Sequence, residues 1–81
     1  MAKYYDIYTQ IPGIKPRTQV WVVEEDRLDV INQLLHKRDF IEIHNIVATT
    51  AKEQSNIKAL ICRQEYFVYM VESRYGSEHH E

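Results

Sequence analysis

The sequence predicts a single α+β domain in which one antiparallel sheet is covered on one face by a helix at residues 27–38. Two patterns indicate this fold: apolar and polar residues alternate in several short segments, and apolar residues recur at helical spacing in one longer segment. The expected element order is strand-strand-helix-strand-strand-strand. The chain of 81 residues fits one domain at residues 1–76. Residues 77–81 contain no apolar side chain and predict a flexible tail.

The first two strands are predicted on either side of a stiff loop. Residues 3–9 alternate with a period of two, and residues 18–24 are rich in β-branched and aromatic side chains. Between them, residues 11–17 contain both prolines, which fix the backbone and end the first strand. The two sides of the first strand are Tyr5, Ile7 and Thr9, and Tyr4, Asp6 and Tyr8. We therefore expect a hairpin with a long loop.

The helix is predicted from its spacing and its charge distribution. Asp26 is a suitable N-cap, acidic residues cluster near the start, and His36, Lys37 and Arg38 lie at the end. This layout complements the helix dipole, so the acidic residues are explained without a functional role. The apolar residues at helical spacing are Leu28, Ile31, Leu34 and Leu35.

A third strand is predicted at residues 40–49, again from alternation. Ile41, Ile43 and Val47 share one face, and Glu42 and His44 share the other. The helix ends immediately before this strand, so the chain is expected to fold back sharply and pack the helix on the sheet.

Residues 50–76 allow two interpretations. The favoured one has strands at residues 57–63 and 66–72 with a tight turn at Gln64 and Glu65. The alternative is a long second helix at residues 51–75, with a capping box at its start. Strands are favoured because the apolar run at residues 66–71 would make a helix apolar on every side.

The composition excludes several functions. The formal charge is -2, without the basic excess needed for bulk phosphate neutralisation. A phosphate-binding glycine loop and paired cysteines are absent, and no serine or cysteine lies in a recognisable nucleophile motif. The single cysteine, Cys62, lies in an apolar run and is expected to be a buried hydrophobic residue. The sequence therefore predicts a protein that is not an enzyme and has no cofactor.

No metal site is predicted from the four histidines. His79 and His80 are adjacent on the predicted tail, where chelation would be weak. His36 and His44 lack evident partners at metal-ligand spacing. A chain without a long apolar window or a secretion signal is expected to be cytoplasmic and not to bind a membrane.

The aromatic residues carry the functional prediction. One helix cannot cover both faces of a sheet, so an aromatic face or an edge strand is expected to remain exposed. The predicted function is a small, non-enzymatic protein-binding or regulatory module that forms a homodimer through this surface. The predicted binding residues are Tyr4, Tyr8, Trp21, Tyr66 and Tyr69.

The alternative is single-stranded nucleic-acid binding by the same aromatic side chains. Exposed rings stack on bases, and basic residues then contact the phosphates. Nucleic acid is the less favoured partner because the chain has no basic excess. The expected phosphate contacts are Lys3, Lys15, Arg17 and Lys58.

Overall fold

The described residues form two antiparallel sheets. The computed structural model describes residues 3–24, 32, 33, 35, 36 and 39–75. The first sheet has the strand order β4-β2-β1-β6 and the second pairs β3 with β5. The strands are β1 (Tyr4–Thr9), β2 (Gln19–Glu24), β3 (Phe40–Ile43), β4 (Ile46–Thr49), β5 (Leu60–Arg63) and β6 (Phe67–Glu72). Two short 3₁₀ turns, Lys52–Gln54 and Gln64–Tyr66, precede β5 and β6.

The predicted α+β class is wrong, because the described structure is mostly antiparallel sheet and shows no helix packed on a sheet face. Much of the predicted helix at residues 27–38, including its cap Asp26, lies outside the described residues. Asn32, Gln33 and Leu35 are helical, and the His36 N–H donates to the Asn32 carbonyl at 3.2 Å. However, Leu35, expected on the buried face, is 71% exposed. Within the described ranges, no helix has the length and apolar character needed to span a membrane.

The second sheet covers the core face of the first. Side chains from both sheets and from Ala51 form one cluster, so the sheets pack face to face. The buried members of this cluster are Ile7, Trp21, Val23, Ile41, Ile43, Ile46, Ala51 and Cys62. The sequence placed the core between a helix and a sheet, and the structure places it between two sheets.

The chain passes between the two sheets four times, and two of these passages are short corners. The first corner, at His44 and Asn45, joins β3 to β4, and Asn45 has a positive φ of 59°. Asparagine adopts this left-handed conformation more readily than most residues. The second corner is the 3₁₀ turn Gln64–Tyr66, which joins β5 to β6. The two sheets are therefore linked at both of these corners around the shared core.

Most strand predictions are confirmed, with two corrections. β1 and β2 match the predicted strands, and β5 and β6 replace the alternative long helix at residues 51–75, which is wrong. β5 and β6 nevertheless do not pair with each other, since β5 pairs with β3 and β6 with β1. The predicted strand at residues 40–49 is divided by the corner at Asn45. The predicted tail at residues 77–81 lies outside the described residues.

The corner at Asn45 also changes which side chain points inward. Uninterrupted alternation places Val47 on the core face with Ile43, but Val47 is 41% exposed. Ile46 is buried instead, at 3% exposure. The prediction for Val47 is therefore wrong, because the left-handed residue between the strands shifts the alternation by one position.

The loop at residues 10–18 is held by the buried side chain of Gln19. Its Oε1 accepts hydrogen bonds from the Thr9 hydroxyl at 2.8 Å and from the Ile11 N–H at 2.9 Å. Its Nε2 donates to the carbonyls of Ile14 at 2.9 Å and Pro16 at 2.7 Å. One amide thus satisfies polar groups at several points of the loop, which contains a cis peptide bond before Pro16.

Candidate binding face and edge strand

The outer face of the four-stranded sheet is apolar and aromatic. Ile7 and Thr9 are fully buried, so the intervening residues of β1 point away from the core. Strand register places residues of β2 and β6 directly beside them. We call this surface the outer face, and its members are Tyr4, Asp6, Tyr8, Val20, Val22, Tyr69, Val71 and Tyr75, with Glu24 beside Tyr4 at its border. Contiguous exposed apolar surface of this kind is typical of interaction sites.

Two tyrosine pairs lie on this face. The ring centroids of Tyr8 and Tyr69 are 4.5 Å apart with an interplanar angle of 31°. Those of Tyr4 and Tyr75 are 5.0 Å apart with an angle of 59°. Tyr69 is 50% and Tyr75 is 42% exposed, so each pair presents ring surface to solvent. Rings held against each other lose little conformational entropy when a partner binds.

Asp6 lies on β1 between the two tyrosine pairs. Its neighbours across the sheet are Val22 on β2 and Val71 on β6. The Oδ1 atom of Asp6 is buried and has no hydrogen-bond partner among the described residues. Partial burial raises the pKa of Tyr8, and the adjacent Tyr69 and Asp6 raise it further. Asp6 is therefore the carboxylate at the aromatic and aliphatic centre of the outer face, and a second carboxylate, Glu24, lies beside Tyr4 at its border.

β6 is an edge strand of this sheet. In the described part of the chain it pairs with β1 alone. The Ser73 N–H donates to the Tyr4 carbonyl at 2.8 Å, which fixes the phase of the β1–β6 ladder. In an antiparallel ladder, every second residue of a strand forms backbone hydrogen bonds with the same neighbour. The backbone groups of Tyr69 and Val71 therefore bond to β1. Those of Met70 and Glu72 point outward, away from β1. The edge therefore offers backbone donors and acceptors to a further strand.

The structure brings three of the five predicted aromatic residues together. Tyr4, Tyr8 and Tyr69 lie on the outer face. Trp21 is fully buried, where its Nε1–H donates to the Thr9 hydroxyl at 2.8 Å, and it presents no binding surface. Tyr66 is half-buried in a 3₁₀ turn and packs against the core.

Sequence reasoning missed five further members of the face, which are Asp6, Val20, Val22, Val71 and Tyr75. Asp6 and Val71 were not predicted as binding residues, although Asp6 shares the alternation phase of Tyr4 and Tyr8. The alternation in β1 was therefore enough to assign Asp6 to the same face as the two tyrosines. Tyr75 lies beyond β6, where no periodic pattern predicted its contact with Tyr4.

The predicted phosphate contacts are divided between the two ends of the sheet. Lys15 and Arg17 lie in the loop that follows the end of β1. Lys3 precedes β1 and forms an exposed ion pair with Glu72 at 3.3 Å. Lys58 lies near the same end as Lys3. Its carbonyl accepts a hydrogen bond from the Ile46 N–H, and Ile46 pairs with Val23 at that end of β2. The length of β1, about 20 Å, separates the two groups.

The other polar groups considered for chemistry do not converge. Glu42 and His44 form an exposed pair at 3.0 Å, and Arg63 pairs separately with Glu65 at 2.9 Å. Burial raises the pKa of the Cys62 thiol, and this residue is 7% exposed, as expected for a core residue. Among the residues that the structure describes, no three His, Cys, Asp or Glu side chains come together. His79 and His80 lie outside these residues.

A surface depression of about 560 Å³ lies in the loop at residues 10–18. It is formed by the loop itself and contains none of the outer-face side chains. Its lining residues are Gln10, Ile11, Pro12, Gly13, Ile14, Lys15 and Arg17.

Comparison of the chain with protein-family models, with curated protein sequences and with solved structures found no significant match.

Proposed function

We propose that this chain is a non-enzymatic protein-binding module that forms a homodimer through the β6 edge. The observation that carries the proposal is an exposed apolar strand at the edge of the aromatic outer face. Edge strands of soluble proteins are usually shortened, charged, interrupted by proline or covered. β6 has six residues, contains no proline or lysine, and exposes Val68, Tyr69 and Val71 by more than two fifths of their surface. Such a strand favours association with another strand.

A second copy of β6 fits this edge when the two strands run antiparallel about a twofold axis at Val71. Met70 of one copy then pairs with Glu72 of the other, and the outward backbone groups of both residues form hydrogen bonds. The two Val71 side chains meet on the outer face in a close apolar pair. Glu72 faces Met70 across this interface, so no like charges are directly opposed. The dimer joins two four-stranded sheets into one of eight strands.

The dimer is tested by charge substitution at the twofold axis. We expect sedimentation velocity to show a dimer for the wild type, and monomers for the Val71→Lys and Val71→Glu variants, because each places like charges opposite each other. An equimolar mixture of the two variants is expected to form a heterodimer, since opposite charges then meet. Circular dichroism of each variant checks that the sheet is retained.

The matched control is Val47→Lys on β4, the opposite edge of the same sheet. Val47 is exposed to nearly the same degree as Val71, 41% against 44%. We expect this variant to remain dimeric. A monomeric wild type would contradict the proposed dimer, and loss of the dimer only in the Val47 variant would assign the interface to β4.

Nucleic-acid binding is the competing function, and the adjacent rings of Tyr8 and Tyr69 are the feature that supports it. Asp6 beside these rings would repel phosphates. The predicted basic residues lie at the two ends of the sheet and not beside the rings. We therefore expect no change in the anisotropy of a labelled single-stranded oligonucleotide at low salt. Saturable binding that weakens steeply as salt rises would favour nucleic-acid binding instead.

A further inference from the structure

We infer that Asp6 and the two tyrosine pairs of the outer face bind an arginine side chain of a partner protein. This inference rests on the proposed protein-binding function and assigns the chemistry that the face recognises. The carboxylate supplies the charge, and the rings supply stacking surface. The β6 edge and this site both include Val71, but the edge binds through the backbone groups of Met70 and Glu72, and strand pairing there leaves Asp6 and the tyrosine rings uncovered.

The arrangement follows from the geometry of β1. Tyr4, Asp6 and Tyr8 lie on one side of the strand, and residues two apart in a strand are separated by about 7 Å. Tyr4 is held by Tyr75, and Tyr8 is held by Tyr69. The carboxylate therefore lies between two ring pairs that are each fixed by a neighbour.

Asp6 lacks a hydrogen-bond donor for one of its oxygens. The Oδ1 atom is enclosed without a partner among the described residues, while the residue as a whole remains half-buried. Val22 and Val71 on the neighbouring strands supply no donor group. The enclosed Oδ1 atom has no donor among the described residues, so a cation that reaches the exposed side of the carboxylate supplies a partner for its charge.

A guanidinium group matches these surroundings better than an ammonium group does. It forms charge-assisted hydrogen bonds with a carboxylate and stacks on aromatic faces with its planar surface. An ammonium group is compact and more strongly hydrated, so it loses more solvation on an apolar face. Arginine is also enriched in the buried centres of protein interfaces.

The test is an NMR titration with a blocked tripeptide Gly-Arg-Gly. We expect saturable shifts of the ring signals of Tyr4, Tyr8, Tyr69 and Tyr75. The same peptide with citrulline, which has nearly the shape of arginine but no charge, is expected to cause no saturable shift. Asp6→Asn is expected to weaken arginine binding about tenfold, as for loss of a charge-assisted hydrogen bond. Glu53→Gln, which removes an exposed charge on a 3₁₀ turn, is expected to leave binding unchanged.

The outcomes separate this inference from the proposed dimer. Equal binding of the arginine and citrulline peptides, or absence of saturable shifts with the arginine peptide, would overturn the arginine site. Equal affinity of the wild type and a folded Asp6→Asn variant would do the same. The Val71 variants and sedimentation decide the dimer independently. If Asp6→Asn does not fold, the citrulline comparison on the wild type still decides the question.

Discussion

Gln19→Leu is expected to lower the free energy of unfolding by about 3–5 kcal/mol, a large fraction of the stability of a small domain. Leucine keeps much of the side-chain volume but lacks the amide oxygen and the amide nitrogen that bond to the loop. The Ile11 N–H and the carbonyls of Ile14 and Pro16 would then be left without the bonds that Gln19 provides. Each polar group left unsatisfied in a partly buried site costs about 1–3 kcal/mol.

The measurement is urea unfolding at one fixed protein concentration, followed by the fluorescence of Trp21, the single tryptophan of the chain. The control is Gln10→Leu in the same loop. The Gln10 amide donates to the Thr18 hydroxyl at 3.1 Å on the exposed surface. We expect this change to alter stability by less than about 0.5 kcal/mol. Similar losses for both variants would show that the loop does not depend on Gln19.

Ile46→Ala is expected to destabilise the fold by about 2–4 kcal/mol, whereas Val47→Ala is expected to cost less than about 1 kcal/mol. Ile46 is 3% exposed and belongs to the core cluster, so its truncation leaves a cavity between the sheets. Val47 is 41% exposed and loses little buried surface. The same urea experiment measures both variants.

This pair of variants decides the phase of the strand after the corner at Asn45. Uninterrupted alternation from residue 40 would make Val47 the costly position and Ile46 the tolerant one. A larger loss for Val47→Ala would therefore contradict the inward position of Ile46. Asn45→Gly serves as a control, because glycine adopts the positive φ of 59° without strain and is expected to keep the corner.

The local strands were predictable because their patterns are local. Alternation in β1 separated the side of Ile7 and Thr9 from the side of Tyr4 and Tyr8, and the structure shows that the first of these sides is buried. The apolar run at residues 66–71 favoured a strand over a helix, because the helix would be apolar on every side, and the structure has β6 there. These patterns depend on the two-residue repeat of a strand, which holds whichever strand lies beside it.

The candidate site was predictable only in part. The alternation of β1 was enough to place Asp6 with its tyrosines, but composition gave no reason to select it. Trp21 was predicted at the surface because an aromatic residue in a strand is equally compatible with either face. Its burial and its bond to Thr9 depend on the second sheet and on the register between β1 and β2.

By itself, the sequence determined the positions of most strands and the two sides of β1, because consecutive side chains of a strand point to opposite faces. Only the tertiary structure decided that a second sheet covers the core, that β5 and β6 leave their expected hairpin, and that Asn45 turns Ile46 inward. These features depend on pairing between segments far apart in the chain and on a single backbone angle. The free energy of such pairing comes from surface that the two segments bury together. The residues of one segment therefore do not show which other segment it pairs with.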